Sequence, residues 1–227
     1  MTNNTGAGRL VGKKAIVTGA GRGLGAAIAG RFAAEGAHVA CVDIDVDTSR
    51  QVAESIRASG GQAEAIVGDV GDSASVTAIV EKALDVFGGI DTLVNNAGVI
   101  PSRETVVDTT EEDWDTTLRV NAKGVFLMSK MVIPYMVSAG GGAIVNMASG
   151  TGLVGLPVRP AYCASKGAVS ILTRQMAVDF GEKNIRVNAI NPSFVITELN
   201  KARFDEMKTE GEPWRKMLEP VSYTHLR

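Results

Sequence analysis

Very little in this chain suggests staples, metals or membranes. Only two cysteines, Cys41 and Cys163, occur in 227 residues. A disulfide framework is therefore not expected, and both read as free thiols, buried or partly buried. The two histidines, His38 and His225, have no ligand-like spacing, so no metal site is expected. Aromatic residues make up 5% of the chain, and no run reaches the roughly 18 apolar residues of a membrane span. Neither charge sign dominates: 23 Lys and Arg face 25 Asp and Glu, for a formal net charge of -2. The basic residues are scattered without aromatic interleaving. Neither nucleic acid nor an acidic membrane surface is expected as a partner. The N-terminal stretch from Met1 to Lys14 has no apolar signal core, which makes the cytoplasm the expected location.

What is present is an alternation. The length fits one large α/β domain able to bury a core without disulfides or metals. Short, β-branched apolar runs bounded by Gly, Asp or Asn read as strands buried on both faces of a parallel sheet. They are Ala15–Thr18, Val39–Asp43, Ala63–Val67, Thr92–Asn95, Ala143–Met147 and Arg186–Ile190. Helix-period segments lie between them: Ala26–Ala34, Thr48–Ala58 and Ser73–Phe87, the last two expected to be capped by Thr48 and Ser73. Trp114, Leu118, Ala122 and Val125 have the spacing of one helix face. A helix from Ala161 is expected to end at Gly181. Strand and helix repeated in this way predict right-handed crossovers and a doubly wound, Rossmann-like α/β sheet of about six strands.

The first strand runs into Thr18–Gly25, TGAGRGLG, and straight on into a helix. A glycine turn there lets the backbone approach a pyrophosphate, and the helix N-terminus offers that anion free N–H groups. Alone this signal is weak; its place between strand and helix strengthens it. Asp43 ends the second strand, where an acid accepts hydrogen bonds from the ribose hydroxyls of an adenosine and repels a 2′-phosphate. NAD is therefore expected over NADP. Arg22 in the glycine turn argues the other way, but like charges brought together without water cost several kcal/mol, and ~1.4 kcal/mol is already tenfold. Asp69, after the third strand, reads equally well as a partner for the adenine amino group or as a turn residue leading a helix.

Tyr162 and Lys166 are one helical turn apart in YCASK. On its own such a pair reads as a solvated face. Enclosed, it has chemistry in it. A phenol of pKa ~10 needs roughly 4 kcal/mol of help to titrate near 7, and an ammonium at ~4 Å contributes about that much at an effective dielectric near 20.

Seven motifs occur in one order: TGAGRGLG, GDV (Gly68–Val70), NNAG (Asn95–Gly98), LRVNAKGVF around Asn121, VNMAS ending at Ser149, YCASK and NIRVNAINPS (Asn184–Ser193). Together they resemble the short-chain dehydrogenase/reductase family over about Gly12 to Thr197. The resemblance implies an oxidoreductase that moves a hydride between a nicotinamide dinucleotide and a secondary alcohol or ketone. Tyr162 would be the general acid/base. Lys166 would lower its pKa and hold the nicotinamide ribose, Ser149 would bond the substrate oxygen, and Asn121 would hold a water in a proton relay. Cofactor contacts would come from Gly19, Arg22, Gly23, Leu24 and Gly25, from Asp43, Asp69 and Val70, from Asn95, Ala97 and Gly98, from Tyr162 and Lys166, and from Pro192 and Thr197. The family's Asn-Pro-Gly is here Asn191-Pro192-Ser193, and serine would be strained if that position required a positive φ.

The resemblance further implies a substrate lid at 198–218, a homodimer or homotetramer built on the helices over 114–137 and 161–181, and a seventh strand. Val221–Arg227 instead resembles a translated sequencing-adapter read-through. The expectation is a single domain over 1–220, a non-native tail over 221–227, and an exposed strand at Arg186–Ile190 that invites aggregation. The segment Gly150–Pro160 is small and apolar with Arg159 its only charge, which points to a neutral or hydrophobic substrate. Two rival readings remain: an inert, truncated NAD-binding fragment, and a relative of the nucleotide-sugar epimerases or dehydratases. The latter usually carry a larger C-terminal substrate domain.

Overall fold

The computed structural model describes residues 8–193 and Val195. The expected Thr197, the lid at 198–218 and the tail at 221–227 lie outside the described residues. The described residues up to Ser193 belong to one compact unit.

Six strands form one parallel sheet: β1 (Lys14–Thr18), β2 (His38–Asp43), β3 (Gln62–Val67), β4 (Thr92–Asn95), β5 (Gly142–Met147) and β6 (Ile185–Ile190). Each expected strand is present, extended by at most one residue. Their order is β3-β2-β1-β4-β5-β6, with every neighbouring pair parallel. The chain winds outward from β1 to β3, crosses to β4 and winds outward again, as the alternation predicted. Among the described residues, β6 lies at one edge of the sheet and β3 at the other.

Alternate side chains along each strand feed two cores. Val17, Val39, Cys41 and Val94 point to the face covered by α1 (Gly23–Ala34) and α2 (Val46–Ala58). Ile16, Ala40, Val42, Leu93, Ile144 and Val187 pack on the other face, under α3 (Ser73–Phe87) and α5 (Gly124–Ser138), with Met176 of α6 (Pro160–Phe180). Period-two alternation with both faces apolar is why these strands read as continuous hydrophobic runs. Burial pushes the Cys41 thiol up to about 12. Cys41 and Cys163 are both free.

Two expectations about helices are corrected. The caps are acidic and stand earlier than the hydroxyl residues: Asp45 accepts from the N–H groups of Asp47 and Thr48, and Asp72 from that of Ser75. A carboxylate both satisfies the orphan N–H groups and faces the positive helix end. The helix through Trp114 to Val125 does not keep one face. After α4 (Glu111–Leu118), residues Arg119–Lys123 form a π-helical turn before α5 begins. The wider turn shifts the phase, so Trp114 remains 36% exposed while Val125 is buried.

Candidate active site

The strand order reverses between β1 and β4, and the crevice of a doubly wound sheet opens at that point beyond the carboxyl ends of its strands. Thr18 and Asn96 staple the two sides together. Thr18 Oγ1 accepts from the backbone N–H groups of Asn96 (3.0 Å) and Ala97 (3.1 Å). Asn96 Nδ2 donates to the carbonyls of Thr18 and Gly19, at 3.0 and 3.1 Å. Both residues lie in the motifs TGAGRGLG and NNAG, but the sequence alone assigned neither a role; a second asparagine directly after a strand end was the available signal.

The glycine turn is a cradle. A Cβ on Gly25 would fall on the Gly19 carbonyl oxygen, and one on Gly21 would strike Thr48 Oγ1 and Asp43 Oδ2. Gly21, in the same motif but without an expected role, donates its N–H to Asp43 Oδ2 at 2.8 Å. Asp43 therefore shapes the turn as well as charging it, with Oδ1 taking the Asp45 N–H at 3.1 Å. Helix α1 starts at Gly23 after Arg22, which makes no side-chain cap bond, and its first turn holds no acidic residue. Its N–H groups and dipole end lack an internal anion, as a pyrophosphate site requires. Leu24 is partly buried in this first turn and Arg22 is exposed.

Asp69 and Val70 follow β3. Asp69 Oδ2 accepts from Arg119 Nη1 at 2.5 Å and Oδ1 from the Gly71 N–H at 2.8 Å. Burial raises its pKa, but the Arg119 hydrogen bond, the Gly71 N–H and the nearby positive charges outweigh this and hold it below the usual value. Val70 is buried against Gly124, where a Cβ would meet its Cγ2 at 2.8 Å. The Asn95 side chain turns inward: its Nδ2 donates to Asn146 Oδ1 (2.8 Å) and Ser129 Oγ (3.3 Å), and Asn146 Nδ2 donates to Thr173 Oγ1 (2.9 Å). These four polar residues are buried and tie β4 and β5 to α5 and α6.

Four elements meet at the candidate catalytic end. Ser149 follows β5, and its Oγ accepts from the N–H of Thr151 at 3.3 Å, capping a short 3-10 turn over Gly150–Gly152. Tyr162 stands in the first turn of α6, and Ser149 acts on its hydroxyl strongly enough to lower its pKa. Lys166, one turn on, is 5% exposed, and its Nζ donates to the Met147 carbonyl at 2.6 Å and lies 5.7 Å from the centre of the Tyr162 ring. Asn121 sits in the π-helical turn, fully buried. Its Oδ1 takes the Val99 N–H (2.7 Å), while Nδ2 donates to the Val99 carbonyl (3.0 Å) and to Ser165 Oγ (3.1 Å). Gly98 closes the group, since a Cβ there would lie 3.3 Å from Asn121 Oδ1 and 3.6 Å from Lys166 Nζ. Pro192 accepts the Gly150 N–H at 3.1 Å. Ser193 is not among the described non-glycine residues with positive φ, which are Val158 and Asn184. The strain considered for Ser193 is therefore absent.

The electrostatics differ from the simple expectation for Tyr162. Burial pushes the phenol up, and the Ser149 hydrogen bond and the Arg159 charge pull it partly back. Lys166 does not lower it in the protein alone. Its ammonium is turned to the Met147 carbonyl, and burial brings its own pKa down from 10.5 to about 8.

Residues 13–208 match the family model described as short chain dehydrogenase. The chain belongs to that family. Among curated relatives, a D-threitol dehydrogenase of Mycolicibacterium smegmatis is 41% identical over 92% of this chain and 80% of its own length. A 3-oxoacyl-[acyl-carrier-protein] reductase of Thermotoga maritima is 39% identical over 85% and 78%. Among solved structures, a 7α-hydroxysteroid dehydrogenase complexed with NADH and 7-oxo glycochenodeoxycholic acid superposes with a TM-score of 0.82 at 39% identity, over 86% of this chain and 75% of that one. A sugar alcohol, an acyl thioester and a steroid share one scaffold, so family membership establishes an oxidoreductase of alcohols and ketones and leaves the substrate to the loops. Among the described residues, no group of His, Cys, Asp and Glu could hold a metal, and no helix is long and apolar enough to cross a membrane.

Proposed function

We propose that this protein transfers a hydride between NAD and a secondary alcohol or ketone, with Tyr162 as the general acid/base. The observation that carries the reading is the meeting of Tyr162, Ser149, Lys166 and Asn121 beside a glycine cradle and an uncapped helix start. A bound nicotinamide supplies the hydride acceptor or donor and, when oxidised, a positive charge. In ketone reduction the Tyr162 phenol gives its proton to the carbonyl oxygen; in oxidation it takes the carbinol proton. Ser149 Oγ hydrogen-bonds the same oxygen and steadies the charge developing on it. Lys166 holds a positive charge next to the Tyr162 ring and is long enough to reach ribose hydroxyls. The Asn121 amide is committed to Val99 and Ser165, so its first task is to fix the loop after β4 against α6.

Gly19, Gly23 and Gly25 would receive the pyrophosphate. Asp43 would hold the adenosine ribose and disfavour a 2′-phosphate. Assembly as a dimer or tetramer is supported by exposed apolar side chains on two neighbouring helices: Phe126, Tyr135 and Val137 on α5, and Ile171 and Val178 on α6. Sedimentation analysis would test it, and a monomer at micromolar concentration would refute it.

The test of function is a titration with NADH and, separately, NADPH, followed by nicotinamide fluorescence and melting temperature. Saturable binding with NADH the tighter, then turnover of at least one secondary alcohol or ketone, is expected. Failure to bind either nucleotide would refute the reading. Binding without turnover of any alcohol or ketone would favour a nucleotide-binding module.

A further inference from the structure

A hydroxyl has one proton to give and two lone pairs to fill. For Ser149 the acceptor side is visible, and Thr151, two residues on, fills it twice. The Thr151 N–H reaches Ser149 Oγ at 3.3 Å, and Thr151 Oγ1 donates to the same oxygen at 3.1 Å. Ser149 is buried and Thr151 half-buried. With its lone pairs taken, the serine oxygen has only its proton left to offer. The effect of Ser149 on the Tyr162 phenol agrees with this. It lowers the pKa, as a donor to the ionised oxygen does and an acceptor from the neutral one does not.

The turn that carries Thr151 is held from several directions. The Gly152 N–H bonds the Ser149 carbonyl at 3.0 Å, and the Leu153 and Val154 N–H groups bond the Gly150 carbonyl at 3.0 and 3.1 Å. The Gly150 N–H bonds the Pro192 carbonyl, beyond β6, at 3.1 Å. Gly152 lies so close to α6 that a Cβ on it would fall 2.5 Å from the carbonyl carbon of Lys166 and 2.6 Å from the Gly167 nitrogen. The turn is thus seated on the backbone of the helix that carries Tyr162 and Lys166. Threonine is β-branched and stiff at χ1, so a fixed backbone here means a fixed hydroxyl.

We propose that Thr151 is a positioning residue for the reaction: by occupying the acceptor side of Ser149 Oγ, it commits the serine hydroxyl to donating toward the oxygen on which Tyr162 acts. This rests on the function proposed above and adds to it a residue that works through Ser149. A serine free to rotate would also accept from the Tyr162 O–H and so favour the neutral phenol. Fixed as a donor, it stabilises the negative charge that develops on the reacting oxygen. Hydroxyls linked in one sense also polarise one another, which strengthens the last donor of the chain. The motif VNMAS stops at Ser149, and the small, apolar character of Gly150–Pro160 gave Thr151 no part.

The test sets Thr151→Val, which keeps the shape and removes the hydroxyl, beside Thr151→Ser, which keeps the hydroxyl. The tyrosinate absorbance of Tyr162 is titrated by difference against Tyr162→Phe, on the free protein and on its NAD⁺ complex, a readout that does not depend on turnover. Reduction of methyl 3-oxobutanoate by NADH supplies kcat and KM. Thr151→Val is expected to lower the Tyr162 ionisation constant and kcat by about three- to tenfold, the worth of one net hydrogen bond. NADH affinity and melting temperature should not change, and Thr151→Ser should keep the parent values. In a Ser149→Ala background, Thr151→Val should move neither quantity further, since the two groups share one contact. An unmoved titration in Thr151→Val, the same shift in Thr151→Ser, or a full shift in the Ser149→Ala background would overturn the role of Thr151 and leave the hydride-transfer reading standing. Failure of the parent to bind NADH would instead overturn that reading, and with it any use of Thr151 in catalysis.

Discussion

The two halves of the sheet do their work by different means. From β1 to β3 the site is made of space and backbone: glycines without a Cβ, an uncapped helix start and one carboxylate, Asp43, that shapes the turn through the Gly21 N–H. From β4 to β6 it is made of buried side chains that hold one another, namely Asn121 with Ser165, Lys166 with the Met147 carbonyl, and Asn95 with Asn146 and Thr173. In the function proposed above, the first half accepts a large anionic ligand without rearranging, and the second keeps a few protons in fixed places. Binding and chemistry should therefore separate under mutation.

The largest separation is expected for Tyr162→Phe. The phenylalanine fills the same volume and removes only the hydroxyl, so NADH affinity and melting temperature should stay within the range of a surface change. Turnover should fall by about 10³-fold, within the span of a positioned general acid/base. Comparable losses in binding and turnover would mean that the halves are not separable. The same tyrosine gives a finer measure. Its tyrosinate absorbance should rise only above pH 10 in the free protein, because burial raises the pKa, and at lower pH once NAD⁺ is bound.

Next in size is a pH effect confined to the second half. Burial lowers Lys166 from 10.5 to about 8. Between those values the unfolded chain holds a proton that the folded chain does not, so stability rises with pH across that window. The difference corresponds to about 3 kcal/mol. Tyr162 has the opposite sign: its raised pKa means that stability falls above pH 10, where the unfolded phenol ionises first. Urea melts at pH 8, 9 and 10 should thus show rising stability, and the slope should vanish in Lys166→Met. A flat profile in the parent would mean that the ammonium is paired rather than merely buried.

Asp43→Ser tests the first half. Removing the carboxylate takes away the repulsion toward a 2′-phosphate and one acceptor for the Gly21 N–H. The NADH-to-NADPH affinity ratio should fall by tens of fold, a change of about 2 kcal/mol, while kcat with saturating NADH changes far less. A collapse of kcat with an unchanged ratio would move Asp43 out of the cofactor half.

This contrast also sets what could be read from the sequence. Strands buried on both faces announce themselves as apolar runs, and a glycine turn between strand and helix is local, so the sheet and the glycine turn after β1 were legible in the sequence. The π-helical turn at Arg119–Lys123 was not. It depends on Asn121 bonding Val99, 22 positions earlier, and a 3.6-residue pattern placed Trp114 and Val125 on one face that the extra residue breaks. The inward turn of Asn95 was hidden for the same reason, since its partner Asn146 stands 51 positions away.

The smallest effect expected is at an ion pair that bridges the halves. Arg119 leads the π-helical turn that carries Asn121, and its guanidinium lies over Gly71 and bonds Asp69 after β3. Its side chain is 41% exposed and that of Asp69 27%, so water and salt screen much of the attraction. Arg119→Met should cost about 1 kcal/mol at low salt and less at high salt. In combination with Asp69→Asn the losses should be less than additive, since the two groups share one contact. If Arg119→Met instead cost several kcal/mol and displaced Asn121 enough to lower kcat, the pair would be a weld through which the cofactor half positions the catalytic half. A loss near 1 kcal/mol with kcat preserved fits two halves held by their own interiors, with the bridge trimming the distance between them.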